Sequence, residues 1–249
     1  MAAFEHKTVE ADGFVIDYLE GGTGPTLVMV HGGSGLRIEL DDAHFLLAQR
    51  FHVVAFEMPG WGDEPNVTTM TLEQLADTMI AAIDGIGLTE YRLLATSIGA
   101  AVSLWIAVKR PKQVVAHVLE APGAFREGTG RTGPPDPEDI NWNETKRRDR
   151  RLGPHQAALM MRLTAQDTDE DLVARMSESA SPTLVLYGTR DGLFDPAYGK
   201  FYTSGLPDCR LVVFDRAAHD IKGDRPEAAV DVIGCFLRNP AAPVPALVP

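Results

Sequence analysis

Ser97, Asp191 and His219 are the three residues of this 249-residue chain whose types and settings can carry out acyl chemistry together. A serine hydroxyl attacks a carbonyl carbon only when a neutral imidazole can take its proton. The imidazole in turn needs a carboxylate to fix its tautomer and to stabilise the imidazolium. Ser97 lies in "LLATSIGAAVSLW", where an apolar run passes into small residues, as a strand turning sharply into a helix does. A nucleophile on such a turn must project above its sheet, so the residues two before and two after it must be small. Here they are Ala95 and Gly99. Taken alone, the same S-x-G fits an ordinary helix N-cap equally well.

The surrounding segments favour the nucleophile. "VHGGSG" (30–35) follows a buried apolar run, and a Gly-rich turn there can aim backbone N–H groups at a developing oxyanion. Gly33 is the expected donor, paired with the N–H of Ile98, and His31 is expected to brace the loop. A phosphate cradle at this turn would need GK[ST] or G-x-G-x-x-G, and neither pattern stands in 30–35. His219, in "FDRAAHDIKGDRPE", sits on a loop ahead of the last helical pattern, where it can reach back over a sheet edge. His6, His44, His52, His117 and His155 fall in terminal, helical, strand or inserted segments and read as surface or packing residues. For the acid, "LVLYGTRDGLFD" places Asp191 just beyond a strand end. Asp195, before Pro196, reads as a helix start, and Glu120, ending "VVAHVLE", is the competitor from an earlier strand.

These residues need a scaffold of alternating strands and helices. "FEHKTVEADGFVIDYLEGG" reads as a hairpin turning at Asp12-Gly13. "TLVMV", "HVVAF", "YRLLAT", "VVAHVLE", "PTLVLYG" and "CRLVVFD" are the apolar runs that strands buried on both faces require. "IELDDAHFLLAQR", "TLEQLADTMIAAIDGIG", "SIGAAVSLWIAVKR" and "PEAAVDVIGCFLR" read as the helices between and after them, the third stopped by Pro111. The expected fold is α/β, a mostly parallel sheet of about eight strands with helices on both faces. Residues 1–121 and 182–238 form the core. Residues 122–181 form a small inserted cap over the carboxyl edge of the sheet, and 239–249 a Pro-rich tail that is extended or frayed.

On these residues the chain resembles the α/β-hydrolase superfamily over most of 12–238. "FEMPGWGDEP" is similar to that family's D-x-x-G-x-G stretch, with Glu57 where Asp is usual, and Ala95 stands where the elbow usually has Gly. The order Ser, Asp, His is the family's order. The resemblance implies Ser97 as nucleophile, Asp191 as acid, His219 as base, and Gly33 and Ile98 as oxyanion donors. With Ser rather than Asp at 97, it also disfavours the dehalogenase and epoxide-hydrolase branches, and it implies no metal or organic cofactor.

Three functions remain. The first is hydrolysis of a small carboxylic ester or lactone through an acyl-enzyme. The second is carbon–carbon bond hydrolysis of a keto-acid such as an aromatic ring-cleavage product, and the third is a non-catalytic ligand-binding protein on the same fold. Met160, Met161 and Trp142 are the candidate substrate contacts; the methionines read equally as the face that packs the cap down. "KRRDRR" (146–151) reads either as a solvated charged face or as a steering patch for a carboxylate. A formal net charge of -12 disfavours nucleic acid and anionic membrane surfaces as partners, leaving a small-molecule substrate and, among proteins, a homodimer. "MAAFEHKTVEADG" lacks a leader's apolar stretch, which predicts a cytoplasmic location. Cys209 and Cys235 are too few for a disulfide framework and read as reduced packing thiols.

Overall fold

A computed structural model describes residues 3–36, 40–125, 136–146 and 151–249. The chain opens with the hairpin β1 (Phe4–Ala11) and β2 (Phe14–Gly21), paired antiparallel through a turn in which Asp12 and Gly13 both take positive φ, 48° and 82°. That combination gives a two-residue turn whose twist matches the strands it joins. There follow β3 (Thr26–Val30), α1 (Asp42–Leu47), β4 (His52–Phe56), α2 (Leu72–Gly85), β5 (Tyr91–Thr96), α3 (Ile98–Lys109) and β6 (Val114–Glu120). The insertion carries α4 (Pro137–Ile140), α5 (Pro154–Leu163) and α6 (Glu170–Arg175). β7 (Thr183–Gly188), α7 (Gly199–Gly205), β8 (Cys209–Phe214), α8 (Ile221–Asp224), α9 (Pro226–Arg238) and β9 (Leu247–Val248) complete the chain.

Among the described residues these strands form one sheet in the order β1-β2-β4-β3-β5-β6-β7-β8-β9, parallel from β4 onward. The unbroken apolar runs follow from helices on both faces. In β3, Val28 and Val30 point into one core with α2 and α3, while Leu27 and Met29 point into the other with α1 and α9. β7 divides in the same way, Val185 and Tyr187 against Leu184 and Leu186.

Two expectations need correction. The sheet has nine strands rather than about eight, because the Pro-rich tail, of its two expected states, takes the extended one and adds a strand. Leu247 and Val248 pair in parallel with Val213 and Phe214, and Arg210 and Arg225 donate to the carbonyls of Ala242 and Pro249. Prolines are tolerated there because an edge strand needs only one side of its backbone paired. Cys235, read as a packing thiol, is exposed on α9, whereas Cys209 is half-buried and burial pushes its thiol up to about 12. No described helix is long and apolar enough to cross a membrane. Of the basic cluster, Arg147, Arg148 and Arg150 lie outside the described residues.

Candidate active site

Ser97 is the single residue between β5 and α3, with φ 56° and ψ -120°, a conformation that L-residues rarely hold. Its side chain makes no capping bond to the helix that follows, so the N-cap alternative is not what this serine does locally. The strain is held from three sides. The Ser97 N–H donates to the Glu120 carbonyl at 2.9 Å, the Ala100 N–H and the Gly123 N–H both donate to the Ser97 carbonyl, and a Cβ on Gly32 would lie 3.3 Å from Ser97 Cβ. Gly99 is obligatory for a different reason, since a Cβ there would collide with the His31 carbonyl oxygen. Ala95, by contrast, is accommodated in the middle of a buried β5, paired between Val30 and Leu119.

The turn at 31–35 is tied down by side chains behind it. His31 Nδ1 lies 2.7 Å from the Gly32 carbonyl and its Nε2 accepts from the Met58 N–H at 2.9 Å. Trp61 Nε1–H donates to the Gly33 carbonyl at 2.8 Å, and Glu57 accepts from the Leu36 N–H at 2.9 Å. The Gly32 carbonyl, which shares its peptide plane with the Gly33 N–H, is held by His31 Nδ1 and by the Gly35 N–H, and this fixes the direction of the Gly33 N–H. Ile98, the other expected donor, begins α3 and is buried.

Asp191 and His219 meet. Asp191 follows the end of β7, its side chain fully buried, with Oδ1 accepting the N–H groups of Leu193 and Phe194. Its Oδ2 is 3.0 Å from His219 Nδ1, which leaves Nε2 as the free nitrogen. Burial opposes a charge on His219, yet the Asp191 carboxylate and its hydrogen bond, with Glu120 and Asp220 beyond, outweigh it and raise the imidazole above its ordinary value of 6.5. Phe194 lies against the imidazole, ring centres 5.3 Å apart. The rival acids are engaged elsewhere. Asp195 caps the turn at Pro196–Tyr198 through the Ala197 N–H, and Glu120 accepts from Lys222 and Thr96.

The candidate substrate contacts separate. Met160 packs against Gly33, its Cε 3.1 Å from where a Cβ would stand. Met161 is 75% exposed. Trp142 lies under the Arg190 guanidinium and gives its backbone N–H to Asp224, beside a cavity of about 370 Å³ shared with Asn143, Arg216 and Arg225. No described group of His, Cys, Asp and Glu residues has the arrangement to hold a metal ion.

Reading the sequence residue by residue missed Trp61, Phe194 and above all that Glu120, weighed there as a rival acid, is gathered with Thr96, Asp220 and Lys222 in one buried cluster. One signal was available: a carboxylate ending the apolar run of β6 must find a cation when it is buried.

Residues 27–232 match the model of the alpha/beta hydrolase family. The chain is 26% identical over 224 residues to a pimeloyl-[acyl-carrier protein] methyl ester esterase of Neisseria meningitidis, covering 77% of this chain and 85% of that protein. It is 30% identical over 129 residues to the dihydrolipoyllysine-residue acetyltransferase component of an acetoin cleaving system from Cupriavidus necator, half of this chain but only 34% of that protein. In fold it is similar to the 2-hydroxy-6-oxo-6-phenylhexa-2,4-dienoate hydrolase of a Rhodococcus strain, with a TM-score of 0.80 at 18% identity over 96% of this chain and all of the other.

Proposed function

The chain belongs to the alpha/beta hydrolase family, and from that premise we propose that it is a serine hydrolase cleaving a small carboxylic ester or lactone. In this reading Ser97 attacks the carbonyl, His219 Nε2 takes its proton, and the Gly33 and Ile98 N–H groups hold the oxyanion. His219 then returns the proton to the leaving group, and water releases the acid from Ser97 in the reverse sequence. The observation that carries the proposal is the buried Asp191–His219 pair at 3.0 Å on the same sheet edge as a serine held at φ 56°. A strained nucleophile position and a carboxylate-oriented imidazole are costly features that a ligand-binding protein does not need.

The esterase relatives support an ester over other acyl groups, because the Neisseria protein's name specifies a methyl ester and the alignment covers most of both chains. Likeness in fold to the dienoate hydrolase supports the keto-acid alternative less, at 18% identity. The test is a fluorophosphonate probe followed by peptide mapping, then a panel of p-nitrophenyl esters beside vinylogous diketone acids. The proposal expects probe mass on Ser97 and turnover of the esters. Label on another serine, or turnover of the diketone acids alone, would overturn it.

A further inference from the structure

Behind Ser97 and His219 lies a second set of charged side chains that the proton transfers do not use. Lys222, nearly buried on α8, places its ammonium 2.7 Å from Glu120 Oε2, 3.0 Å from Asp220 Oδ1 and 3.0 Å from Thr96 Oγ1. Its backbone N–H also donates to Glu120 Oε1 at 2.7 Å, and Thr96 donates its hydroxyl to Glu120 Oε2. The positions matter more than the number of bonds. Thr96 immediately precedes Ser97, Glu120 gives its carbonyl to the Ser97 N–H, and Asp220 immediately follows His219. One cation therefore joins the strand ends that carry the serine to the loop that carries the histidine.

We propose that Lys222 is a positioning residue, whose ammonium sets the separation between Ser97 and His219 by holding Thr96, Glu120 and Asp220 at once. The proposal rests on the hydrolase reading above. A buried ion cluster is weak evidence for stability, because desolvation offsets most of the attraction, so its place beside the site argues for geometry. Misplacement of reacting groups by about 1 Å can cost on the order of 100-fold in rate.

Other charged groups are packed around the same loop and helix. Asp191 bonds it directly, Asp224 on α8 accepts from the Ala218 N–H, and Arg190 beside Asp191 stacks on Trp142. Asp41, ahead of α1, bonds His44 and acts on Lys222 through space.

The test measures inactivation of the full chain by a fluorophosphonate, separating the limiting rate from the binding constant across pH. Lys222→Met is expected to lower the limiting rate about tenfold or more with binding unchanged. That variant leaves Glu120 and Asp220 without their cation, so the decisive variant is the double change Glu120→Gln with Lys222→Met, which removes the unpaired Glu120 charge as well. A folded double variant that stays slow supports positioning, and one that reacts at the wild-type rate overturns it. Glu120→Gln alone is expected to move the midpoint of the acid limb downward, because a carboxylate that favours the imidazolium is gone; an unmoved midpoint counts against the proposal. If the double variant does not fold, Thr96→Val removes only the link to the elbow, and an unaltered limiting rate then overturns the proposal. If the wild type fails to label at Ser97, the hydrolase reading itself falls, an outcome distinct from every variant result.

Discussion

His219 and His117 are both buried, the first beside an acid and the second beside a serine. His219 lies on the carboxyl edge of the sheet with its Nδ1 against Asp191, and the surrounding carboxylates raise it above 6.5. His117 lies inside, in the middle of β6, with its Nε2 2.7 Å from Ser103 Oγ on α3. Because Ser103 donates to the Ala100 carbonyl, His117 Nε2 carries the hydrogen and donates to Ser103, leaving Nδ1 without a partner among the described residues. With no carboxylate to offset burial, its value falls to about 3, so it is neutral throughout the ordinary range. Neither Ser103 nor His117 is exposed at all. A serine beside a histidine is therefore not a catalytic pair by proximity. A carboxylate behind the imidazole makes the difference, and it stands behind His219 but not behind His117.

The widest separation between the two regions is expected from the serines. Ser97→Ala is predicted to abolish ester turnover and probe labelling, while Ser103→Ala leaves Ser97 labelling in place; label on Ser103 in intact protein would break the comparison. Next in size is the acid. Asp191→Asn is predicted to cost roughly 10⁴ in kcat by losing the orienting carboxylate, with circular dichroism unchanged. Asp195→Asn, which removes only a cap, is predicted to cost little activity. A crippled Glu120→Gln beside an active Asp191→Asn would move the acid to the earlier strand.

Titration separates the histidines by sign. With His219 as the proposed base, activity needs its neutral form, so kcat/KM is predicted to fall about tenfold per pH unit on the acid side, with a midpoint above 6.5. The raised value means the folded state holds the His219 proton more tightly, which contributes stability that is present below 6.5 and lost as pH rises through the folded value. His117 does the opposite. Its folded value is depressed to about 3, so the unfolded chain takes its proton first and stability falls as pH drops from 6.5 toward 3. His117→Gln is predicted to flatten that acid-side loss in urea unfolding, an effect on the order of a few kcal/mol, without shifting the activity midpoint. The smallest effect is expected in the insertion. Met160→Ala, beside Gly33, is predicted to change preference among acyl chain lengths severalfold, and Met161→Ala, exposed, to change nothing; equal shifts in an ester panel would erase that distinction.

Periodicity and punctuation determined much of this molecule. Runs such as "TLVMV" and "TLVLYG" can be buried on both faces only between two layers of helices, so the sandwich follows from composition along the strand. The Asp12-Gly13 turn, the Ser97 elbow and the expected association of Asp191 with His219 were legible for the same local reason: each depends on a few adjacent residue types. The ninth strand was not, because four prolines in the tail argue against pairing until a vacant edge of β8 and the two arginines that hold the tail are known. Nor could the sequence separate Met160 from Met161, adjacent on α5, since the direction in which a helix faces is set by what it packs against. Tertiary structure alone decided that Glu120 faces Lys222 rather than His219. Residues 120 and 222 are joined by an ion pair across 102 positions of sequence, and no local pattern encodes which buried carboxylate will find which buried cation.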